Sequence, residues 1–223
     1  MGSPLNKKKP LEVSLVIFDL DGTLIDTAPD LYMAFCDTLK DYGYQPPSYE
    51  KFCRHIGGGA YGFLEPFLPP EILEEALQKL RSYYLTKYMF KESKPYGGIL
   101  EVLEILKEKG FKLAVATNKI TEGAVRVLKA AKMERYFDLI VGRDLPKEHK
   151  PSPEHLLYIN RQLKVEPKFT LMVGDRTDDI LAAKRSGAFS GYALWGYTEP
   201  LNGLKPDYLL KEPKDLLTLL GIV

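Results

Sequence analysis

The sequence predicts an α/β protein with a parallel sheet and a helical segment inserted after its first strand. Short apolar runs alternate with amphipathic segments along most of the chain, which is the pattern of strands joined by crossover helices. The alternation is interrupted once, between Thr27 and about Ser93, where only helical patterns occur. With 223 residues, of which 45% are hydrophobic, the chain can bury a substantial core.

The first predicted strand is the apolar run from Ser14 to Phe18, which stops at the turn signal Asp21-Gly22. Similar runs predict strands at 111–117, 138–142, 170–174 and, more weakly, 189–194. Strands that are apolar throughout imply that both faces of the sheet are covered. Helix signals lie at 98–109, 121–131, 152–163 and 178–185, the last closed by Gly187. The order of elements therefore predicts a Rossmann-like parallel sheet with right-handed crossovers.

The interruption predicts an all-helical subdomain, here called the cap. One apolar helix face is formed by Leu31, Ala34, Phe35, Thr38 and Leu39, and another by Ile72, Leu73, Ala76, Leu77 and Leu80. The turn-rich ends of the segment, Asp26-Thr27 and 95–98, are expected to act as hinges. We expect a catalytic core formed by 13–26 and 95–223, a helical cap at 27–94 and a flexible tail at 1–12.

Composition excludes several classes of function. The formal net charge is +1, so the chain has no overall field that would gather nucleic acid or anionic membrane. There is no apolar stretch of membrane-spanning length, and the first residues lack the hydrophobic region of a signal peptide. Cys36 and Cys53 are expected to be reduced thiols. These features predict a cytoplasmic protein, monomeric or homodimeric, with neither nucleic acid nor membrane as partner.

Acidic side chains follow the first predicted strand. Asp19 and Asp21 are two residues apart, so an extended backbone places both carboxylates on one side, beyond the sheet edge. Two carboxylates brought together repel, and their hard oxygen atoms favour Mg²⁺ over Zn²⁺ as the compensating cation. The alternative interpretation of this pair alone is an Asp-Gly turn that leaves a strand.

Further polar residues stand at the ends of later strands. Asp175 and Asp179 straddle a loop that enters a helix, which suits one direct metal ligand and one residue that orients a metal-bound water; Asp178 is the close competitor. The simpler alternative is that these acids complement the helix dipole. Thr117 offers a hydroxyl for phosphate oxygens, and the ammonium group of Lys150 can reach the same crevice.

Together these segments resemble four ordered motifs of the haloacid dehalogenase superfamily. The motifs are DLDGTLIDT from Asp19, Thr117-Asn118-Lys119, KPSPE from Lys150, and GDRTDD from Gly174. Further resemblance to the phosphoglycolate phosphatase branch lies in 95–98, in His55-Ile56-Gly57-Gly58-Gly59 and in Gly196-Tyr197. The sequence departs from the family at Arg176, where Ser is common, and this puts substrate choice in question more than reaction class.

The resemblance implies a Mg²⁺-dependent phosphatase that hydrolyses a small phosphorylated metabolite, phosphoglycolate first, through an aspartyl phosphate. Asp19 would be the nucleophile and Asp21 the general acid and base. The implied phosphate-binding residues are Thr117, Asn118 and Lys150. The implied metal ligands are Asp19, the main chain of Asp21, Asp175 and Asp179.

Substrate choice is expected to depend on the cap. Arg54 and the glycine loop, with Gly57 and Gly58, are expected to face the substrate, and Arg54 is suited to pair with a carboxylate. Alternatively, Arg54 is a solvated helix charge and the glycines only connect two helices.

Other functions remain open at this point. A pyrophosphatase or a phosphosugar mutase would use the same chemistry. A phosphoaspartate receiver-type binding module also combines clustered acids, a Thr and a Lys, but the helical insertion and the late acidic cluster argue against it. A catalytically silent interaction protein is disfavoured by the intact Asp19, Asp21 and Lys150.

Overall fold

The structure is a computed structural model that describes residues 10–57 and 59–222. Its strands are β1 (Leu15–Phe18), β2 (Ile25–Asp26), β3 (Lys94–Pro95), β4 (Lys112–Ala116), β5 (Leu139–Val141), β6 (Thr170–Gly174), β7 (Phe189–Ala193) and β8 (Tyr208–Leu210). Six of them form one parallel sheet in the order β5-β4-β1-β6-β7-β8. The predicted parallel α/β fold is confirmed, and the predicted strands differ from the observed ones by at most one residue at each end.

Helices cover both faces of this sheet, as its fully buried central strand β1 requires. In chain order the helices are α1 (Ala28–Asp41), α2 (Tyr49–Cys53), α3 (Gly59–Leu64), α4 (Pro70–Tyr83), α5 (Ile99–Glu108), α6 (Thr121–Ala130), α7 (Glu154–Leu163), α8 (Thr177–Ser186) and α9 (Asp215–Leu219). The predicted glycine at the end of α8 is confirmed, because Gly187 has φ +84°. The sequence analysis missed α9 and the edge strand β8.

The predicted helical insertion is present as α1 to α4, followed by a short π-helix at Tyr84–Tyr88. Helices α1 and α4 pack together through their predicted apolar faces, whose residues are buried except for the half-buried Ile72. Aromatic rings fill the space between α1 and the shorter helices; the ring centroids of Phe35 and Phe52 are 4.9 Å apart. Burial of these apolar faces stabilises the insertion as a packed unit.

The chain enters and leaves the insertion through a two-stranded antiparallel ribbon, which the sequence analysis did not predict. Ile25 pairs with Pro95 and Asp26 with Lys94. The hydroxyl of Tyr197 donates to Asp26 Oδ1 at 2.7 Å and accepts from the backbone N–H of Ala28 at 2.8 Å. The ribbon is therefore fixed to the loop that follows β7.

Across 10–57 and 59–222, none of the helices has the length and apolar character needed to cross a bilayer. Cys36 and Cys53 are both free and half-buried. The predicted tail at 1–12 falls mostly outside the described residues.

A buried histidine on α7 gives a prediction about stability and pH. His155 is fully buried, and its Nε2 lies 3.0 Å from the carbonyl oxygen of Val141. Burial, with the charge of Lys150, lowers the pKa of His155 to about 3. Because the unfolded chain protonates this ring below its ordinary pKa of 6.5, the stability from the neutral ring is complete above pH 6.5 and falls as the pH drops toward 3.

We expect acidification from pH 7 to pH 5 to cost about 2 kcal/mol through this ring. Urea unfolding of the wild type and of His155→Gln at both pH values measures the difference. The part of the pH dependence of the unfolding free energy that is due to His155 should be absent from the variant. Equal pH dependence of the two proteins would contradict the assignment, whatever the absolute stability of the variant.

Candidate active site

The predicted site residues meet at the carboxyl edge of the parallel sheet. Asp19 follows β1, Thr117 follows β4 and Asp175 follows β6. Strand β1 pairs with β4 on one side and with β6 on the other, so these three residues leave adjacent strands. The chain order reverses between β1 and β6, and such a reversal opens a crevice for ligands in open α/β sheets.

Three buried carboxylates form the centre of the site. Asp19, Asp175 and Asp179 each offer an oxygen atom, and these atoms lie within 4.8 Å of one another. The relative exposures are 5%, 0% and 2%, so bulk water does not screen the charges. Asp178, the competitor considered from the sequence, is half-buried and lies outside this group.

Hydrogen bonds hold Asp175 in place. Thr23 donates its hydroxyl to Oδ1 at 2.9 Å, and the backbone N–H of Tyr197 donates to Oδ2 at 2.8 Å. The backbone approaches this carboxylate so closely that a Cβ atom on Gly22 would lie 2.4 Å from it, and one on Gly196 would lie 2.7 Å from its Cγ. Glycine at both positions is therefore a steric requirement of the site.

Asp179 is positioned by the start of α8. Its Oδ2 accepts the backbone N–H of Arg176 at 3.1 Å, and this bond orients the carboxylate at the first turn of α8. A Cβ atom on Gly174 would lie 2.1 Å from the same oxygen, so a side chain there would displace the carboxylate. The two acids predicted from the GDRTDD segment are thus oriented by its backbone.

Lys150 is the buried cation of the cluster. Its Nζ lies 2.9 Å from Asp19 Oδ1 and 2.6 Å from Asp179 Oδ1, and the residue is 2% exposed. Burial acts to lower the pKa of Lys150, but the charges of Asp179 and Asp19 outweigh it and raise that pKa above its ordinary value. The ammonium group is therefore protonated at neutral pH.

One ammonium group does not balance three buried carboxylates. Burial raises the pKa of Asp19 to about 7, with Asp179 adding to the effect and Lys150 opposing it. Burial, together with Asp19 and Asp179, raises the pKa of Asp175 well above its ordinary range. Full ionisation of all three groups at neutral pH needs further positive charge, and the three oxygen donors fit a hard divalent cation.

Asp21 lies beside this group rather than within it. Its Oδ1 accepts the hydroxyl of Thr27 at 2.6 Å, and its Oδ2 lies 3.2 Å from Lys119 Nζ. Lys119 also lies 4.8 Å from the ring centroid of Tyr84 in the cap. The sequence analysis named Lys119 only as part of a motif and missed its contact with Asp21. The carbonyl group of Asp21 stays a predicted ligand.

Thr117 and Asn118 follow β4 and are both buried. The Thr117 hydroxyl oxygen accepts the backbone N–H of Lys119 at 3.2 Å, which leaves its proton available to a ligand. The amide of Asn118 donates to the carbonyl groups of Gly57 at 2.9 Å and of Lys150 at 3.2 Å. The Asn118 side chain therefore joins the cap loop to the core, and its role toward phosphate stays a prediction.

A cavity of about 740 Å³, its opening to solvent included, lies between the sheet edge and the cap. Asp19, Asp21 and Thr117 line the side of the core. Most of the cap side is apolar, formed by Leu31, Ile56, Ala60, Phe63, Leu80, Tyr84 and Leu85. A cleft with an apolar wall and a few polar groups converging on it suits a small molecule.

The predicted cap residues occupy different positions around this cavity. Gly57 lines the cavity. Arg54 is exposed and does not, and its backbone carbonyl accepts Arg176 Nη2 at 3.2 Å. Gly58 lies outside the described residues. The structure thus brings Gly57, but not the Arg54 side chain, to the site.

Arg176, the departure from the family pattern, turns toward the rim of the site. Its Nη2 lies 2.8 Å from Glu199 Oε2, and its Nη1 donates to the carbonyl of Tyr197 at 3.3 Å. A Cβ atom on Gly57 would lie 2.9 Å from its Nε, so the guanidinium packs directly on the cap loop. Arg176 therefore forms an ion pair with Glu199 in the core and also contacts the cap loop at Gly57.

Comparisons with known proteins agree with this geometry. A profile described as haloacid dehalogenase-like hydrolase matches residues 16–192. The chain is 43% identical over 206 residues to a phosphoglycolate phosphatase of Aquifex aeolicus, covering 92% of this chain and 96% of that protein. It is 36% identical over 216 residues to the pyrophosphatase PpaX of Halalkalibacterium halodurans, covering 95% and 99%.

A solved structure agrees as well. It is described as a predicted phosphoglycolate phosphatase from Haemophilus somnus and superposes with a TM-score of 0.86 at 28% identity, covering 93% of this chain and 98% of that one. The matched profile spans the strands that carry Asp19, Thr117 and Asp175, and the curated relatives match along nearly their whole lengths. The chain is therefore an enzyme that belongs to the haloacid dehalogenase-like hydrolase family.

Proposed function

We propose that the protein is a Mg²⁺-dependent phosphatase that hydrolyses a small phosphomonoester, phosphoglycolate first, through an aspartyl phosphate. The observation that carries the proposal is the buried cluster of Asp19, Asp175 and Asp179 with Lys150 at the edge of the sheet. The name of the Aquifex aeolicus relative supports phosphoglycolate as the substrate.

Asp19, Asp175 and Asp179, with the carbonyl group of Asp21, would hold the magnesium ion. The ion would supply positive charge that draws phosphate oxygens to the site and offsets the charge that develops during transfer. With Asp21 protonated, the other three carboxylates contribute three negative charges, and the ion with Lys150 contributes three positive ones. The site is then near neutral toward an incoming phosphate dianion.

In the first step a carboxylate oxygen of Asp19 attacks phosphorus. A bond from this oxygen to phosphorus forms, the ester bond breaks, and Asp21 donates its proton to the departing alkoxide. The bonds from Thr27 and Lys119 hold the Asp21 carboxyl group at the cavity wall, where a leaving oxygen can reach it. Lys150 and the Thr117 hydroxyl are proposed to bind the phosphoryl oxygens.

In the second step Asp21, now ionised, takes a proton from a water molecule. The water oxygen attacks phosphorus, the bond to Asp19 breaks, and inorganic phosphate leaves. Atoms and charges balance over the two steps, since one water is consumed and one alcohol is released. Both carboxyl groups return to their starting states.

The chain is proposed to divide into a core of 13–26 and 95–223 and a cap at 27–94. The proposed role of the cap is to control access to the active site. A closed cap excludes bulk water from the phosphorylated intermediate, and an open cap releases product. The bonds from Asn118 to Gly57 and from Arg176 to Arg54 support the proposal, because they join the cap loop to the core beside the cavity.

A pyrophosphatase is the second candidate function, favoured by the identity of 36% to the pyrophosphatase of Halalkalibacterium halodurans. The same residues would transfer a phosphoryl group from a phosphate leaving group instead of an alkoxide. Phosphate release from phosphoglycolate and from pyrophosphate, compared by kcat/KM, distinguishes the two candidates.

Removal of divalent metal is expected to abolish phosphate release, because the three buried carboxylates then repel an anionic substrate. Phosphate release from phosphoglycolate is measured after chelation and after addition of Mg²⁺ or an equal ionic strength of Na⁺. We expect Mg²⁺ alone to restore turnover and also to raise the melting temperature. Unchanged hydrolysis after complete chelation would contradict the proposed metal requirement.

A further inference from the structure

We propose that Arg143 and Arg81 form an anion-binding subsite in the cavity, and that the substrate carries a second anionic group beside its phosphoryl group. The inference rests on the proposed phosphatase function and deepens it. The second anion is a carboxylate if phosphoglycolate is the substrate and a second phosphoryl group if pyrophosphate is. Both sources share the chemistry of a negatively charged oxygen group that a guanidinium can bind with two hydrogen bonds.

The cations around the site differ in whether a carboxylate pairs with them. Lys150 is paired with Asp19 and Asp179, and Lys119 with Asp21. Arg143 and Arg81 also line the cavity, and neither guanidinium group has a hydrogen bond or ion pair to any residue of 10–57 and 59–222. Two half-buried arginines facing one cavity are therefore left with unmatched positive charge.

Arg143 lines the cavity from the core. The residue follows β5, and its backbone N–H donates to the carbonyl of Lys119 at 3.0 Å, which fixes it beside the loop that follows β4. A Cβ atom on Gly59 would lie 3.0 Å from Arg143 Nη1. The missing side chain at Gly59 thus lets the guanidinium lie directly against the start of α3 in the cap.

Arg81 lines the same cavity from the cap. It lies in the last turn of α4 in the cap, among the apolar residues Leu80 and Leu85. An anion held between Arg81 and Arg143 would therefore contact both the cap and the core. Such an anion would favour the closed arrangement, because each arginine alone supplies only one side of the subsite.

The surroundings strengthen this attraction. The cap side of the cavity is mostly apolar, and charge interactions are stronger in such surroundings than in bulk water. With a divalent cation bound, Asp19, Asp175 and Asp179 are balanced by that cation and Lys150, and Lys119 is held beside Asp21. Arg81 and Arg143 are then surplus cations on the wall that faces the rest of the substrate.

The test compares substrates of similar size in the Mg²⁺-loaded enzyme. Phosphoglycolate carries a carboxylate, pyrophosphate a second phosphoryl group, and 2-hydroxyethyl phosphate a neutral hydroxyl in the corresponding place. We expect Arg143→Gln and Arg81→Gln each to raise KM for the preferred doubly anionic substrate about tenfold or more. KM for 2-hydroxyethyl phosphate should change less than about twofold, within ordinary surface effects.

Three further variants sharpen the comparison. Arg143→Lys keeps the charge and should recover part of the loss. Arg126→Gln removes an exposed arginine that pairs with Glu122 on α6, and it serves as the surface control. Arg54→Gln tests the residue that the sequence favoured for the same role; because Arg54 is exposed and outside the cavity, we expect its effect to match the control.

Binding without turnover separates this inference from the proposed function. In the Asp21→Asn background, calorimetry should show at least tenfold tighter binding of phosphoglycolate or pyrophosphate than of 2-hydroxyethyl phosphate, a preference that Arg143→Gln removes. If the wild type releases no phosphate but this preference is found, the phosphatase proposal fails and the subsite stands. Equal effects of the arginine variants on charged and neutral esters, or none on either, would overturn the subsite.

Discussion

Asp19→Asn is expected to lower kcat for phosphate release by about 10⁴-fold or more, the scale seen when a catalytic nucleophile is removed. The amide nitrogen is not a nucleophile toward phosphorus at neutral pH, and the amide carries no charge for a bound cation. The amide oxygen can still accept the bond that Lys150 donates to Asp19, so the fold around the site should be kept. Loss of turnover would therefore report chemistry rather than misfolding.

The same substitution should stabilise the metal-free protein. Since burial raises the pKa of Asp19 to about 7, the folded state holds a proton there between pH 4 and 7 that the unfolded chain has lost. The contribution of the Asp19 carboxyl group to the free energy of unfolding is thus greatest at low pH and is lost as the pH rises through 7. Above pH 7 the wild type keeps a repelled charge that the variant lacks, and we expect the variant to be about 1 to 3 kcal/mol more stable at pH 8.

Phosphate release with Mg²⁺, and urea unfolding in chelator at pH 8, measure the two effects. Asp178→Asn is the matched control, since Asp178 is the adjacent acid on α8 but lies outside the carboxylate group. The control should keep most of its turnover. A variant at Asp19 that retains turnover within tenfold of the wild type would disprove the nucleophile assignment, and a loss of stability at pH 8 would disprove the repulsion argument.

Lys150→Met should have the largest effect on stability. It removes the only ammonium group bonded to Asp19 and Asp179 among the described residues and leaves their buried carboxylates facing each other. Removing one partner of a buried ion pair costs about 3 to 5 kcal/mol. We also expect kcat to fall by about 10³-fold, because the phosphoryl oxygens lose a fixed positive charge.

A double-mutant cycle tests whether the loss comes from uncompensated charge. Asp19→Asn should restore part of the stability of Lys150→Met in chelator, and Mg²⁺ should restore part of it without the second substitution. Lys147→Met, at an exposed position three residues away, is the control for altered surface charge. Strictly additive effects at Asp19 and Lys150 would show that the two side chains do not interact.

The sequence predicted the sheet well because buried parallel strands leave a clear apolar pattern. It also predicted which acids meet, because parallel strands place their carboxyl ends along one edge, and Asp19 and Asp175 follow adjacent strands. Its interpretation as a hydrolase of a known family is confirmed, and this decides against a receiver-type module. These successes depend on patterns that are local to each strand and its following loop.

The sequence did not predict features that form between segments far apart in the chain, because local patterns carry no signal for them. The ribbon of β2 and β3 has two residues per strand, too few to show a period, and one of them is Pro95. The sequence analysis named Arg54, which stands next to a glycine loop, and did not consider Arg81 or Arg143. Position in the cavity depends on how the cap packs on the core, which the sequence does not show. Charged residues near helix or strand ends resemble solvated side chains until that packing is known.

The ribbon also bears on how such a protein can diversify. The chain enters the cap through Ile25–Asp26 and leaves it through Lys94–Pro95, and these two segments are neighbouring strands. The cap is therefore covalently connected to the core at one place only. Insertions, deletions or wholesale exchange between these anchor points need not disturb the strands that carry Asp19, Lys150 and Asp175. Substrate specificity can thus change in evolution through changes in the cap alone, while the residues of the core that carry out the reaction are kept.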